Sequence, residues 1–498
     1  MRLLLPFLLV LGFVPAADAG VRWNRTRSEH FVLVGDARRD VTAVAARELE
    51  RFRAAVEQVT PLRFGPGPRT GYVFRNARSF RTAAGSVPDV RKLEGLSVAG
   101  DSGTVLLALA DAPRGGLERI RHELVHGLLD HLDLPLWLGE GLAQYLSFFE
   151  PSGDEVTFGL PTLALDRIED CGWIPLASVV ARKAYPTDDA ANCAFYLEAA
   201  LLVQHLAERQ EGMAGLFSFV DAVAAGEPAE AALRARYGIE PAAHDTALRA
   251  WAEAARAPAR APVPEPAWGR VVVLERLSKV EAWIAAADLA LALDDHARAA
   301  VGYRRALQGE PSNLAAVSGL GIALAGTEDN AEAIALIEWT QAVDYVREGL
   351  DEAYAVALVG RGFERGGLDL REDHRKVRAL AQSLDARPRD RIMRAVLLGV
   401  ASLADPDAGA AAAGRAALEE GVERGVPLSV LAPGLLIFAA REGDDASQAR
   451  LRAAVPDDRD FEAMTRTVAD ALRASAWVRS VWDQAERVEA LAGDRRRR

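Results

Sequence analysis

The chain has 498 residues, of which 50% are hydrophobic and 26% are charged, and this length predicts two or three globular domains. The formal net charge of −12 argues against nucleic acid or an anionic membrane as the main partner, because both attract basic surfaces. The basic run at Arg495 to Arg498 does not change this, since we interpret it as a solvated tail.

The first residues have the pattern of a secretory leader. Arg2 precedes an apolar run, Leu3 to Val14, which is too short to span a bilayer. Residues 17–19 (Ala-Asp-Ala) provide the small side chains of a cleavage site. We therefore expect residues 1–19 to be a signal peptide and the protein to be exported, either to a bacterial periplasm or as a secreted protein. An uncleaved anchor is the alternative, and no integral membrane span is expected in the mature chain.

Three apolar stretches predict strands: His30 to Asp36, Thr70 to Asn76 and Thr104 to Ala110. Between the first two strands, Asp40 to Val59 is predicted to be an amphipathic helix. Its apolar side chains recur at three- and four-residue steps, namely Val41, Val44, Ala45, Leu49, Phe52, Val56 and Val59. This order predicts a mixed sheet on which a helix near residue 121 packs, and hence an α+β fold class.

The chain contains two cysteines, Cys171 and Cys193. Export makes a disulfide between them chemically permissible, and two buried free thiols are the alternative. The pair is too sparse for a cysteine-based zinc site.

From residue 193 onward the pattern becomes mostly helical, with helices predicted at 194–209, 213–226 and 231–238 and a last one ending near 255. Four prolines follow within residues 256–268, which predicts a stiff, extended linker. The predicted boundaries are therefore a first domain at 20–255, the linker at 256–268 and a second domain at 269–498.

The second domain contains one clear and one partial copy of a tetratricopeptide (TPR)-like repeat. The residues at repeat spacing are Ala299, Tyr303, Ala306, Pro311, Gly321, Leu324 and Ala333. Small residues allow two helices to approach closely, and the aromatic ring fills the remaining gap. We expect an all-α, TPR-like solenoid that can bind a protein partner, and a generic helical domain is the alternative.

Residues 122–126 (His-Glu-Leu-Val-His) form an H-E-x-x-H motif. Four residues of helix turn about 400°, so His122 and His126 project from nearly the same line and can reach one zinc ion. Glu123 is offset by about 100°, which suits a general base beside the metal rather than a ligand.

A catalytic zinc ion needs a third protein ligand, and Glu140 follows 14 residues after His126. The segment at Pro135 is expected to break the first helix and start a second one that returns Glu140 to the metal. Gly139 and Gly141 would allow this second helix to approach the first closely. A pair of buried core histidines without metal is the alternative.

These motifs resemble the gluzincin metallopeptidases, specifically the exported peptidase-MA-like families. Those families carry HExxH, a short spacer and Pro-x-Trp-Leu-x-Glu-Gly-x-Ala, and this chain has HELVH at 122–126 and LPLWLGEGLAQY at 134–145. Weaker similarity covers residues 27–36, 72–80 and 224–251. The similarity extends over about residues 23–255.

The resemblance implies that His122, His126 and Glu140 bind Zn²⁺ and that Glu123 is the base and proton shuttle. It also implies an edge strand, expected at Thr104 to Ala110, along which an extended peptide substrate could pair.

A donor for the oxyanion of the tetrahedral intermediate is also expected. We assign this role to Tyr196, with a core aromatic as the alternative, from the candidates Tyr145, Tyr196, His131 and His205. Asp130 and Gln144 are one turn beyond metal ligands and could support them.

The sequence therefore predicts a zinc-dependent peptidase that acts on peptide or protein substrates outside the cytoplasm. A non-catalytic scaffold that binds peptides or proteins through its TPR-like repeats is the alternative function. Hydrolysis of a non-peptide amide is a third possibility, and no feature of the chain favours it.

Overall fold

A computed structural model places the chain in two compact units, Met1–Ser278 and Lys279–Arg498. The structure describes residues 23–65, 68–85, 95–100, 103–109, 115–129, 132, 134–160, 162–209, 211–254, 259–262, 273–327, 329–364, 373–383, 397–398, 408–423, 435, 444 and 446–447. The architecture is mixed α+β and mostly helical, with two small sheets. The predicted signal peptide lies outside the described residues.

The first unit alternates strands and helices before it becomes helical. Its elements are β1 (Asn24–Arg27), β2 (Phe31–Gly35), α1 (Arg39–Val59), β3 (Arg69–Phe74), α2 (Ala77–Ala83), β4 (Gly95–Gly100), β5 (Gly103–Leu109), α3 (Gly115–Leu129), α4 (Leu136–Ser147), β6 (Phe149–Ser152), β7 (Glu155–Phe158), α5 (Thr162–Cys171), α6 (Leu176–Val180), α7 (Asp189–Ala207), α8 (Gly212–Ala224), α9 (Ala229–Tyr237), α10 (Pro241–Glu253), β8 (Ala259–Pro262) and β9 (Val273–Arg276). The predicted strands and helices of this region are all present, with shifted ends.

The larger sheet has the strand order β4-β5-β3-β2-β1-β9. Strands β2, β3 and β5 are parallel, and the other pairings are antiparallel. The expectation of an edge strand at Thr104 to Ala110 is wrong, because β5 pairs on both sides and β4 forms that edge. No strand is predicted from the sequence at Gly95–Gly100, so the expectation lacked a neighbour for β5 on that side.

Helix α1 connects the parallel strands β2 and β3 and buries one face in the core. Ala45, Leu49, Phe52 and Val56 are buried, as their spacing predicts. Val44 is 48% exposed, because its position on the helix points away from the sheet. The hydroxyls of Thr26 on β1 and Thr42 on α1 are hydrogen-bonded at 2.7 Å and join the helix to the sheet.

The proline-rich segment after residue 255 remains part of the first unit where it is described. Strand β8 pairs with β7 in a three-stranded antiparallel sheet, and β9 pairs with β1 in the larger sheet. Edge strands tolerate proline, because one side of such a strand needs no hydrogen bonds. The segment is extended as predicted, but it adds strands to the first unit, and the second unit begins at Lys279.

Helix α7 is joined to the segment before it by a covalent bond and a buried hydrogen bond. Cys171 at the end of α5 forms a disulfide with Cys193 in the second turn of α7, so of the two alternatives for these cysteines the structure has the disulfide. Glu198, which is buried on α7, accepts a hydrogen bond of 2.6 Å from the backbone N–H of Ile174. Both contacts fix the segment that lies between α5 and α7.

The second unit is helical in its described part. Its helices are α11 (Lys279–Ala292), α12 (His296–Gly309), α13 (Leu314–Ala325), α14 (Asn330–Ala342), α15 (Leu350–Glu364), α16 (Asp373–Ser383) and α17 (Ala408–Glu423). Each of α11 to α15 packs against the helix that follows it. This succession of neighbouring helices buries a continuous apolar core.

Tyr303 on α12 is fully buried in this core. Its hydroxyl donates a hydrogen bond of 2.6 Å to Asp288. A Cβ at Gly319 on α13 would lie 2.3 Å from the Tyr303 ring, so only glycine permits this approach of the two helices. Ala299 and Ala306 are buried on the same helix as Tyr303.

Within the described part of the chain, we find no helix that combines the length and the apolar composition needed to cross a membrane.

Replacing Cys171 and Cys193 with serine is predicted to destabilise the first unit. The disulfide closes a loop with a sequence separation of 22 and limits the conformations of the unfolded chain. We expect the free energy of unfolding to fall by about 3 kcal/mol, measured by urea denaturation of the oxidised proteins. An unchanged denaturation midpoint would contradict this expectation.

A second prediction concerns the pH dependence of stability. Burial raises the pKa of Glu198 to about 7, and repulsion by Asp245 adds to this, against the Ile174 N–H and the charge of Arg249. Between the ordinary glutamate pKa and pH 7, the unfolded carboxyl is ionised while the folded one keeps its proton. The stability contributed by Glu198 is therefore present at lower pH and is lost as pH rises to 7.

The variant Glu198→Gln retains an oxygen for the Ile174 N–H and does not titrate. Its free energy of unfolding, relative to that of the wild type, should rise by roughly 3 kcal/mol between pH 4.5 and pH 8 in urea titrations. A constant difference across this range would show that Glu198 is not protonated in the fold.

Candidate metal centre

The motif residues lie on two helices separated by a short break. Helix α3 carries His122, Glu123 and His126, and α4 carries Glu140. Pro135 immediately precedes α4, and its own backbone is extended. A proline lacks the N–H that would continue the preceding helix, so a break is expected at this position. The predicted break and second helix are therefore confirmed.

Three donor atoms meet between these helices. Nε2 of His122 lies 3.0 Å from Nε2 of His126, and Oε2 of Glu140 lies 3.2 Å from each of these nitrogens. The four-residue step places both imidazoles on one line of α3, and α4 supplies the carboxylate from the opposite side.

This arrangement fits a zinc ion. Tetrahedral Zn²⁺ with ligand bonds of about 2.0–2.1 Å separates its donor atoms by about 3.3 Å. The three separations of 3.0–3.2 Å are close to that value. Two imidazoles and one carboxylate are also a known catalytic donor set, and they leave a fourth coordination position open.

The site is buried on one side and accessible on the other. His122 and Glu140 are only 4% and 3% exposed, whereas the side chain of His126 is 29% exposed. A ligand can therefore reach the centre from the side of His126. A structural zinc site is usually enclosed by four protein ligands, so this asymmetry favours a site that admits a substrate.

Sequence reasoning missed Tyr185, which lies between α6 and α7. Its hydroxyl donates a hydrogen bond of 2.5 Å to Oε1 of Glu140, the carboxylate oxygen that does not face the histidines. Burial opposes ionisation of Glu140, but hydrogen bonds from His122, His126 and Tyr185 outweigh it and hold the carboxyl pKa below its ordinary value. The carboxylate is thus charged and held at both oxygens.

Tyr196 also reaches the site. Its ring lies 6.0 Å from that of His122 and stacks on Tyr185 at 6.2 Å, with 17° between the ring planes. Burial, with a contribution from the charge of Glu140, raises the pKa of Tyr196 above its ordinary value, so its hydroxyl keeps its proton. It lies two turns into α7, because Asp188 caps this helix earlier than the predicted start at residue 194.

Glu123 follows His122 on α3 and is not one of the three converging donors. Its side chain is 20% exposed and forms an ion pair of 3.7 Å with Arg119, one turn earlier on the helix. Its charge contributes to the raised pKa of both Tyr185 and Tyr196, which places it near these phenols.

The other candidate side chains have different partners. Gln144 donates to Glu118 rather than to Glu140, since it faces the start of α3. Tyr145 is buried and its hydroxyl contacts the sulfur of Met213. His205, near the end of α7, contacts Arg209 and His244 rather than the three converging donors. Asp130 and His131 lie outside the described residues.

The glycines beside Glu140 differ in what they contact. A Cβ at Gly141 would lie 2.6 Å from the backbone oxygen of Ala199 and 2.7 Å from Val203, both on α7. A Cβ at Gly139 would meet nothing within 4 Å. The prediction that both glycines allow α4 to approach α3 is therefore wrong, because the close approach involves Gly141 and α7.

Comparisons of this protein with protein-family models, curated proteins and solved structures found no match. A functional assignment therefore depends on the chemistry of the site. Its strongest element is the convergence of His122, His126 and Glu140.

Gly141→Ala and Gly139→Ala form a matched pair of substitutions on α4. Gly141→Ala should lower the free energy of unfolding by about 1–3 kcal/mol, because the methyl group forces α4 and α7 apart. Gly139→Ala should leave stability unchanged or raise it by up to about 1 kcal/mol, since alanine favours the helix. Urea denaturation measures both, and equal effects of the two substitutions would show that Gly141 is not packed closely against α7.

Proposed function

We propose that this protein is a zinc-dependent peptidase of the gluzincin type that acts outside the cytoplasm. The observation that supports this most strongly is the meeting of His122, His126 and Glu140 at zinc-ligand separations. The neighbouring Glu123 supplies the general base that such a reaction needs. Export is proposed from the leader pattern of residues 1–19.

A bound zinc ion would activate water and polarise the carbonyl of the scissile bond. His122, His126 and Glu140 would hold the ion, since Nε2 of each histidine and Oε2 of the glutamate converge there. The carboxylate of Glu123 accepts a proton from the attacking water and passes it to the nitrogen of the leaving amine. Before the first transfer, the ionised Glu123 is paired with Arg119 at 3.7 Å.

Tyr196 is proposed as the donor that stabilises the oxyanion. It keeps its proton at neutral pH and its ring lies against His122. A phenol in this position can donate to the negative oxygen that develops as water attacks.

An extended peptide can be held along β4, the edge strand that packs on α3. Backbone hydrogen bonds to β4 would align the substrate with the helix that carries His122 and His126. We extend the proposal to the whole chain as a gluzincin-like first unit followed by a TPR-like solenoid. The close packing of the Tyr303 ring on α12 against Gly319 on α13 supports the solenoid.

The variant Glu123→Gln tests this function. It should bind zinc as the wild type does, because Glu123 is not a ligand. It should cleave a peptide library at least about 100-fold more slowly, because it cannot accept the proton. Mass spectrometry of the digests and elemental analysis of the proteins measure both properties.

Glu253→Gln on α10 is the control, since Glu253 is exposed and remote in sequence from the motif. Cleavage by Glu123→Gln at the wild-type rate would place the activity elsewhere and contradict the proposal. A zinc-loaded wild type that binds peptides without cleaving any would favour the scaffold function.

A further inference from the structure

Glu140 uses its two carboxylate oxygens for different contacts. Oε2 lies 3.2 Å from both imidazole nitrogens, and Oε1 accepts the hydrogen bond of 2.5 Å from Tyr185. A carboxylate with both oxygens free can bind a metal through one oxygen or through two. The hydrogen bond from the phenol occupies Oε1 and leaves Oε2 directed at the space between the histidines, which favours coordination through Oε2 alone.

This difference affects the fourth coordination position. If Glu140 bound zinc through both oxygens, the second oxygen would occupy space that a water or substrate needs. A catalytic site keeps one position open. The hydroxyl of Tyr185 contacts the oxygen that would have to turn toward the ion in a two-oxygen mode.

Tyr185 lies in a segment that is held at several points. The Cys171–Cys193 disulfide closes the segment at both ends. Inside it, the backbone N–H groups of Ile174 and Leu176 donate to Glu198 and Asp245. One disulfide and two hydrogen bonds therefore fix the segment, through Cys171, Cys193, Ile174, Leu176, Glu198 and Asp245.

The ring of Tyr185 is the part of this segment that meets the site. It is 52% exposed and stacks on Tyr196, so its direction is set by α7 as well as by the loop. Cys193 lies on α7 one turn before Tyr196, so the disulfide joins the segment to the helix against which Tyr185 stacks.

We propose that Tyr185 is a positioning residue that holds Glu140 in one-oxygen coordination, and that the disulfide-closed segment 172–192 places it there. The inference rests on the zinc site of the proposed function and does not require that the protein cleave peptides.

The test compares Tyr185→Phe with Tyr145→Phe in the full chain. Tyr185→Phe keeps the ring that stacks on Tyr196 and removes the hydroxyl. Tyr145→Phe removes a hydroxyl from the same helix as Glu140, where it contacts Met213 instead of the site. Zinc affinity is measured by competition with a chromophoric chelator, and coordination is measured from the absorption spectrum of the cobalt-substituted proteins.

Tyr185→Phe should bind zinc about 10- to 100-fold more weakly, as expected for loss of a partner that orients a ligand. Its cobalt spectrum should lose intensity, because a two-oxygen carboxylate raises the coordination number. Tyr145→Phe should match the wild type in both measurements. Cys171→Ser/Cys193→Ser, which retains the Tyr185 hydroxyl, should also bind zinc more weakly.

Wild-type affinity and an unchanged cobalt spectrum in Tyr185→Phe would overturn the role of Tyr185 while leaving the zinc site intact. Wild-type zinc affinity in the double serine variant would overturn the role of the closed segment. A wild-type protein that binds no zinc would overturn the proposed function, and this inference with it.

Discussion

The approach of two imidazoles and one carboxylate to within 3.0–3.2 Å is the contact on which the site depends. It requires that α3 and α4 be held at a fixed separation across a helix break. Helix α7 provides this constraint, because its backbone at Ala199 lies against Gly141, next to Glu140. The disulfide and the Glu198 contact in turn fix the segment that precedes α7.

The buried carboxylate of Glu140 explains why so many polar groups gather here. Taking a charge out of water is unfavourable unless it is paired and hydrogen-bonded. Glu140 is 3% exposed, and three donors compensate for its burial: His122, His126 and Tyr185. A cation between the histidines would add to this compensation, which is consistent with the proposed zinc site.

Local patterns predicted much of the site and of the first strands. The H-E-x-x-H spacing identified one face of α3, and Pro135 identified the break before α4, because both signals extend over only a few residues. Tyr185 was missed because its contact with Glu140 spans 45 residues and follows no period. The pairing of β9 with β1 spans about 250 residues, so the proline-rich segment could be recognised as extended but not as part of a sheet.

The decisive measurement for the metal centre is X-ray absorption at the zinc K edge. For the full chain purified with zinc, we expect one bound ion whose nearest neighbours are two imidazole nitrogens and one carboxylate oxygen at about 2.0–2.1 Å, with an additional light ligand. His122→Ala and His126→Ala should each remove one of these nitrogens or abolish binding. Absence of stoichiometric zinc in the wild type, or a set of zinc neighbours that neither substitution changes, would show that these residues do not bind zinc.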